Sequence, residues 1–278
     1  MCLNFGVQVT VNQTSSNFYY TYETNGSQWT LSSFLESSKY AKTMETSVGV
    51  DPVLDETGSG ASTLADLGRG LVGYWPLDEG TGATAYDWSG SGDNGTLNAS
   101  TTWGVGQVDG TAASFPSSSS ANITTSPNNQ VNINDNLTIS FWLQGASTTG
   151  AYAAIVANDP TFTTGYMVAR AATTTNVYIR LDTSAGTNQN GGVIGNAFNG
   201  NWNQVVWTIS SGTVKGYLNG SLASNGSFLP GTGLATSSDY FLMGRNSGAN
   251  FIGLLEDVRV YNRVLSAAEI QEMYNAER

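Results

Sequence analysis

Any chemistry in this chain has to run without histidine, because none occurs among its 278 residues. That removes the usual general base of serine and cysteine hydrolases and the commonest transition-metal ligand. Cys2 is the only cysteine, which excludes an intrachain disulfide and a Cys/His zinc site. No G-x-S-x-G elbow is present either. Carboxylates, hydroxyls, lysines and a hard metal remain. The stretch YDWSGSGDNGTLN, residues 86–98, concentrates such groups. Asp87, Asp93 and Asn94 supply the oxygen ligands that Ca²⁺ gathers about six to eight at a time, and the glycines permit tight turns. The same residue types also build plain polar turns, in which Asp and Asn bond to nearby backbone. For glycoside hydrolysis the obvious pair is Glu256 with Asp257 in LLEDV. Successive strand side chains point to opposite faces, so this pair reaches one cleft only across a bulge. Asp182 and Asp239 stand singly in their strand regions.

The elements that position these groups read as β-structure. Charged residues are only 11%, and short runs of Val, Ile, Tyr, Phe and Trp alternate with Gly, Ser, Thr and Asn. Residues 1–45 contain two aromatic runs flanking Asn25-Gly26, the signature of a hairpin. Residues 46–69 are acidic, small and Gly/Ser-rich, which reads as a linker. From residue 70 to 278 strand-like runs such as LVGYWPL, NLTISFWLQ, GYMVARAA, NVYIRLD, NQVVWTI and LLEDVRV recur at the spacing of a two-sheet sandwich. Ser266 followed by Glu269 has capping-box spacing and starts a short helix, with Ile270 and Met273 on its docking side. A net charge of −11 and a pI near 4.2, with only ten basic residues, argue against a nucleic-acid or anionic-membrane partner. No apolar run approaches a membrane span, and MCLNFGVQVT lacks the features of a signal peptide, so the chain as given is expected to be soluble.

Four segments follow one another in a familiar order: GYWPLDEGTGATAYDWSGSGDNGTL, NLTISFWLQ, NWNQVVWTI with GYLNG, and GLLEDVRVYNRVLSAAEI. With these, residues from about 70 to 278 resemble the laminin-G-like, concanavalin-A-like jelly rolls of bacterial surface and carbohydrate-active proteins. The resemblance implies an all-β, two-sheet antiparallel jelly roll, commonly a binding or adhesion module, often with one structural Ca²⁺. It also implies that Glu256 or Asp257 from the last strand closes the site of Asp87, Asp93 and Asn94, with Asp78 a further ligand. Trp75, Trp142 and Trp202 fall inside the strand motifs and are expected in the core. Trp88, Trp103, Tyr152, Phe162, Tyr166 and Tyr178 are less constrained by those motifs and are the candidates for an aromatic ligand platform. Residues 1–45 resemble the C-terminal part of bacterial pilin-like proteins, on the strength of YYTYETNGSQWTLSSFLESSKY.

Together these features lead to the expectation of an extracellular or cell-surface polymer-binding or adhesion module, with polysaccharide as the polymer and a possible place in a pilus or surface assembly. The alternative is a hydrolase of an extracellular glycoside or polyester working through carboxylates without a histidine-based triad. A purely structural pilin-associated domain is the third reading.

Overall fold

The computed structural model describes residues 19–24, 29–34 and 67–278, apart from positions 99, 109, 118–120, 127–129, 146–150, 159–163, 173, 184–185, 229–232, 236–239 and 245–250. Two compact units divide the chain, Met1–Ala61 and Ser62–Arg278. In the first, β1 (Tyr19–Thr24) and β2 (Trp29–Phe34) pair antiparallel, with Tyr19 opposite Phe34 and Thr24 opposite Trp29. This is the hairpin expected around Asn25-Gly26, whose turn itself lies outside the described residues.

The second unit is the antiparallel two-sheet sandwich that the strand-like runs predict. Its front sheet runs in the order β13 (Gly186–Ile194), β12 (Val177–Thr183), β11 (Gly165–Arg170), β10 (Ala154–Ala157), β17 (Leu242–Met243), β8 (Ile123–Thr124), β5 (Gly95–Leu97) and β4 (Thr84–Ala85). The back sheet runs β16 (Ser221–Ser227), β15 (Thr213–Leu218), β14 (Trp202–Ser210), β9 (Leu137–Gly145), β18 (Gly253–Tyr261), β7 (Thr111–Phe115) and β6 (Thr102–Val105). A further strand, β3 (Leu71–Trp75), takes over from β7 along the second half of β18.

Period-two alternation explains which residues fill the space between the sheets. Along β12, Val177, Ile179 and Leu181 point inward, leaving Tyr178, Arg180 and Asp182 on the outer face. Trp75 stacks on Phe241 with ring centroids 5.0 Å apart, and Phe141, Trp207 and Val260 of the back sheet meet Ile155 and Val168 of the front sheet in one core. Each such fully buried side chain contributes about 1.5–3 kcal/mol by leaving water.

The helix α1 (Ala267–Glu277) starts where the capping box places it. The Ser266 hydroxyl accepts from the Glu269 N–H, and the Glu269 carboxylate accepts from the Ser266 N–H. Ile270 and Met273 pack on Val206, Tyr217, Tyr261 and Leu265, which places α1 on the outer face of the back sheet. Its last turn closes a buried polar network. Glu277 pairs with Arg259 and accepts from Trp142 Nε1 at 2.7 Å and Gln204 Nε2 at 3.1 Å. Among the described residues no helix is long and apolar enough to cross a membrane.

Candidate ligand-binding face

Asp87 sits in the loop between β4 and β5, and its carboxylate is occupied by backbone. Oδ1 accepts from the N–H groups of Tyr74 and Ser89 at 3.0 and 2.9 Å, and Oδ2 from that of Asp93 at 3.0 Å. Asn94 Oδ1 accepts the Asp87 N–H at 2.8 Å. Asp93 accepts the Gln130 N–H through Oδ2 and the Trp75 indole through its carbonyl. Loop 86–98 is therefore drawn together by the Asp and Asn turn bonds of its own sequence. Burial pushes the Asp93 carboxyl up; the Gln130 N–H opposes this and the charge of Asp87 adds to it.

The acids expected to close that loop have hydrogen-bond partners of their own. Both oxygens of Glu256 are used by the loop after β6, accepting the N–H groups of Gln107 at 2.7 Å and Val108 at 3.0 and 3.2 Å. Asp257 Oδ1 accepts from Tyr74 Oη at 2.8 Å and Arg259 Nη2 at 2.9 Å. Asp78 lies in the β3–β4 loop, where its carbonyl accepts from Thr111. Its neighbour Glu79 accepts the Tyr86 N–H, and its carboxyl pKa is raised to about 7, mainly by burial. No three acidic side chains converge among the described residues, so Asp78, Glu256 and Asp257 do not join Asp87, Asp93 and Asn94 in one acidic cluster. Asp87→Ala should then cost about 2–4 kcal/mol by orphaning N–H donors, equally in chelator and in Ca²⁺. A melting temperature that falls in chelator and recovers with Ca²⁺ would assign the loop to the cation instead.

The bulge needed to bring Glu256 and Asp257 together does exist. Asp257 is the extra residue, at φ 54, where β18 changes partner from β7 to β3, and its N–H donates to Pro76 O at 3.0 Å. Both carboxylates are nevertheless fully buried and bonded to structural partners, which removes them as an acid and nucleophile pair facing a cleft.

The six candidate aromatics do not form one platform. Tyr166 is a core residue, 1% exposed, with its hydroxyl donating to Val131 O, because odd and even positions of β11 alternate faces and Tyr166 falls on the inner one. Its burial pushes the phenol pKa up. Trp103 packs partly against the core and donates to Gly82 O at 3.1 Å from the edge strand β6. Trp88, 37% exposed, follows β4 at one edge of the front sheet. Six strand spacings, about 29 Å, separate β4 from β12. Phe162, like Asp239, lies outside the described residues. Trp202, expected in the core, is only half buried on the outer face of the back sheet.

Tyr152 and Tyr178 do come together. Tyr152 is 56% exposed, held at φ 59 just before β10, and its ring meets Tyr178 edge-on with centroids 6.0 Å apart. The approach is possible because the cross-strand neighbours under Tyr178 on this face, Ala169 and then Ala154, are small. Val193, 39% exposed, pairs with Tyr178 on the other side. Along the same strand face Arg180 follows, its Nη2 3.2 Å from Asp182 Oδ1. Burial pushes the Tyr178 phenol up, with the Arg180 charge opposing. The face thus combines an aromatic pair with a positioned guanidinium, able to stack on an apolar ring face and donate to oxygen. Taken singly, Asp182 hides Arg180; the alternation in NVYIRLD carries the signal that Tyr178, Arg180 and Asp182 share one face.

Curated protein sequences give no match. Solved structures match the sandwich at low identity. The binding domain of Paraclostridial Mosquitocidal Protein 1 aligns with a TM-score of 0.64 at 17% identity, over 76% of this chain and 53% of that one. A botulinum neurotoxin serotype D ligand-binding domain, in complex with N-acetylneuraminic acid, aligns with a TM-score of 0.63 at 16% identity, over 78% and 53%. Domain 4 of an extracellular arabinanase from Geobacillus stearothermophilus, in complex with arabinotriose, aligns with a TM-score of 0.54 at 16% identity, over 75% and 98%. The chain spans about half the length of the two toxin domains it matches. These likenesses are of fold, and none of them supports the pilin-like reading of residues 1–45. A family model described as the concanavalin A-like lectin/glucanases superfamily matches residues 117–271, most of both sheets and the start of α1, and the chain belongs to that superfamily.

Proposed function

We propose that the sandwich is a polysaccharide-binding module and that the outer face of the front sheet at β10 to β13 is its binding face. The observation that carries this reading is the exposed Tyr152 meeting Tyr178 edge-on, in line with Arg180 on one strand face. A sugar ring presents apolar C–H surface to an aromatic face, and its hydroxyls or a uronate take the guanidinium donors. The sugar complexes of two structural neighbours, one with arabinotriose and one with N-acetylneuraminic acid, support the ligand class for those proteins and make it the natural first test here. An extracellular or cell-surface setting, where such polymers lie, belongs to the same reading, as does a role in adhesion.

An immobilised panel of plant and bacterial polysaccharides, scored for both retention and release of reducing sugar, tests this directly. Retention without release is expected. Tyr178→Ala and Tyr152→Ala should each weaken it by about tenfold, the worth of a lost stacking contact, while Tyr166→Phe in the core should leave affinity unchanged. Sustained product release would favour the hydrolase reading, and retention indifferent to both tyrosines would place the binding face elsewhere.

A further inference from the structure

The outer face of the back sheet changes character two residues beyond the part that α1 covers. Trp142 and Gln204 lie opposite one another in register under the last turn of the helix and are buried. The next outward positions form a continuous row across five strands: Trp202 of β14, Gln144 of β9, Leu254 of β18, Ser114 of β7 and Thr102 of β6. The first four are half buried and Thr102 is exposed. Four strand spacings give the row a length of about 19 Å. An open cleft of ≈ 440 Å³ adjoins it, lined by Ser114, Gln144 and Leu254 together with Pro116, Gly200 and Ile252.

The composition of this strip selects its occupant. None of the residues lining the cleft, and none in the row, carries a charge. A charged polymer would give up hydration there without gaining a counter-charge. What the strip offers is an indole at one end, an amide that both donates and accepts, two hydroxyls, and the apolar surface of Leu254 and Ile252. A few placed neutral hydrogen-bonding groups on an apolar ground suit a flat, hydroxyl-rich, uncharged chain. We propose that the row from Trp202 to Thr102 and the adjoining cleft form a second ligand site, for a stretch of neutral polysaccharide. It shares no residue with the face of Tyr152, Tyr178 and Arg180, and the outer faces of the two sheets of a sandwich point in opposite directions. One domain carrying both sites bridges two polymer chains.

Affinity electrophoresis through gels containing mixed-linkage β-glucan, arabinan or polygalacturonate tests the second site separately from the first. In the Tyr178→Ala background, which weakens the front face by about tenfold, retardation by at least one of the two neutral polymers should persist. Adding Trp202→Ala to that background should weaken it by about tenfold. Gln144→Leu, nearly isosteric, should also weaken it and guards against a Trp202→Ala chain that does not fold. If Tyr178→Ala alone removes all retardation, or if only polygalacturonate retards the protein, the second site is overturned and the front face stands. Neutral-polymer retardation in the Tyr178→Ala background that ignores both Trp202→Ala and Gln144→Leu also overturns it. Wild-type protein retarded in none of the gels overturns both readings.

Discussion

Arg259→Met should lower the stability of the sandwich by about 3–5 kcal/mol, the cost of breaking a buried ion network from one side. Arg259 is 7% exposed on the outer face of β18, with Asp257 and Glu277 both ion-paired to it and its guanidinium carbon 4.5 Å from the centre of the Tyr74 ring. Methionine keeps most of the stem's packing and removes the charge, so two buried carboxylates lose their shared cation. Tyr74, Trp142 and Gln204 still donate to them, but neutral donors do not balance two charges. For a domain of this size the loss corresponds to a fall of roughly 10 °C in melting temperature. Adding Glu277→Gln to Arg259→Met should recover part of that loss, because it discharges one of the stranded groups. Urea denaturation of the two variants checks this, and a single-variant loss below about 1 kcal/mol, the range of exposed pairs, would show that solvent reaches the network.

The same network explains what could be read from the sequence and what could not. Strand positions, the inward alternation, the Asn25-Gly26 hairpin and the Ser266 capping box are local signals, and each survives in the structure because backbone geometry and period-two burial act over a few residues. Asp87 is held by near-sequence turn bonds, but the fates of Glu256 and Asp257 are not local. Glu256 is claimed by N–H groups 148 and 149 residues away, and Asp257 by a hydroxyl 183 residues away. Carboxylates rich in oxygen look the same on paper whether they will face a cation or a row of N–H donors. The aromatics divide in the same way. Trp75 is legible as core because strand pattern and ring size agree, whereas Trp202, in an equally hydrophobic run, falls on the outward side of β14 beyond the part of that face that α1 covers. The spread of the predicted platform across two sheets follows from strand order, which non-local pairing decides.

Trp142→Ala should cost about 3–5 kcal/mol, as large as the Arg259 effect but by another route. The Trp142 ring is 3% exposed between the back sheet and α1, stacked on Tyr274 with centroids 5.7 Å apart and planes 21° apart. Alanine leaves a cavity at the interface that holds the helix down, and it strips Glu277 of the indole donor at 2.7 Å. Trp142→Phe separates the two contributions: it keeps a ring against Tyr274 and loses only the N–H, for about 1–3 kcal/mol. The pair of variants therefore divides packing from hydrogen bonding. Combining Trp142→Ala with Arg259→Met should give less than the sum of the single losses, since both act on Glu277 and both loosen the same last turn. Strict additivity would mean that α1 is held chiefly by Ile270 and Met273. An unchanged urea midpoint for Trp142→Ala would place the ring outside the interface, and with it the boundary that leaves Trp202 and Gln144 facing solvent.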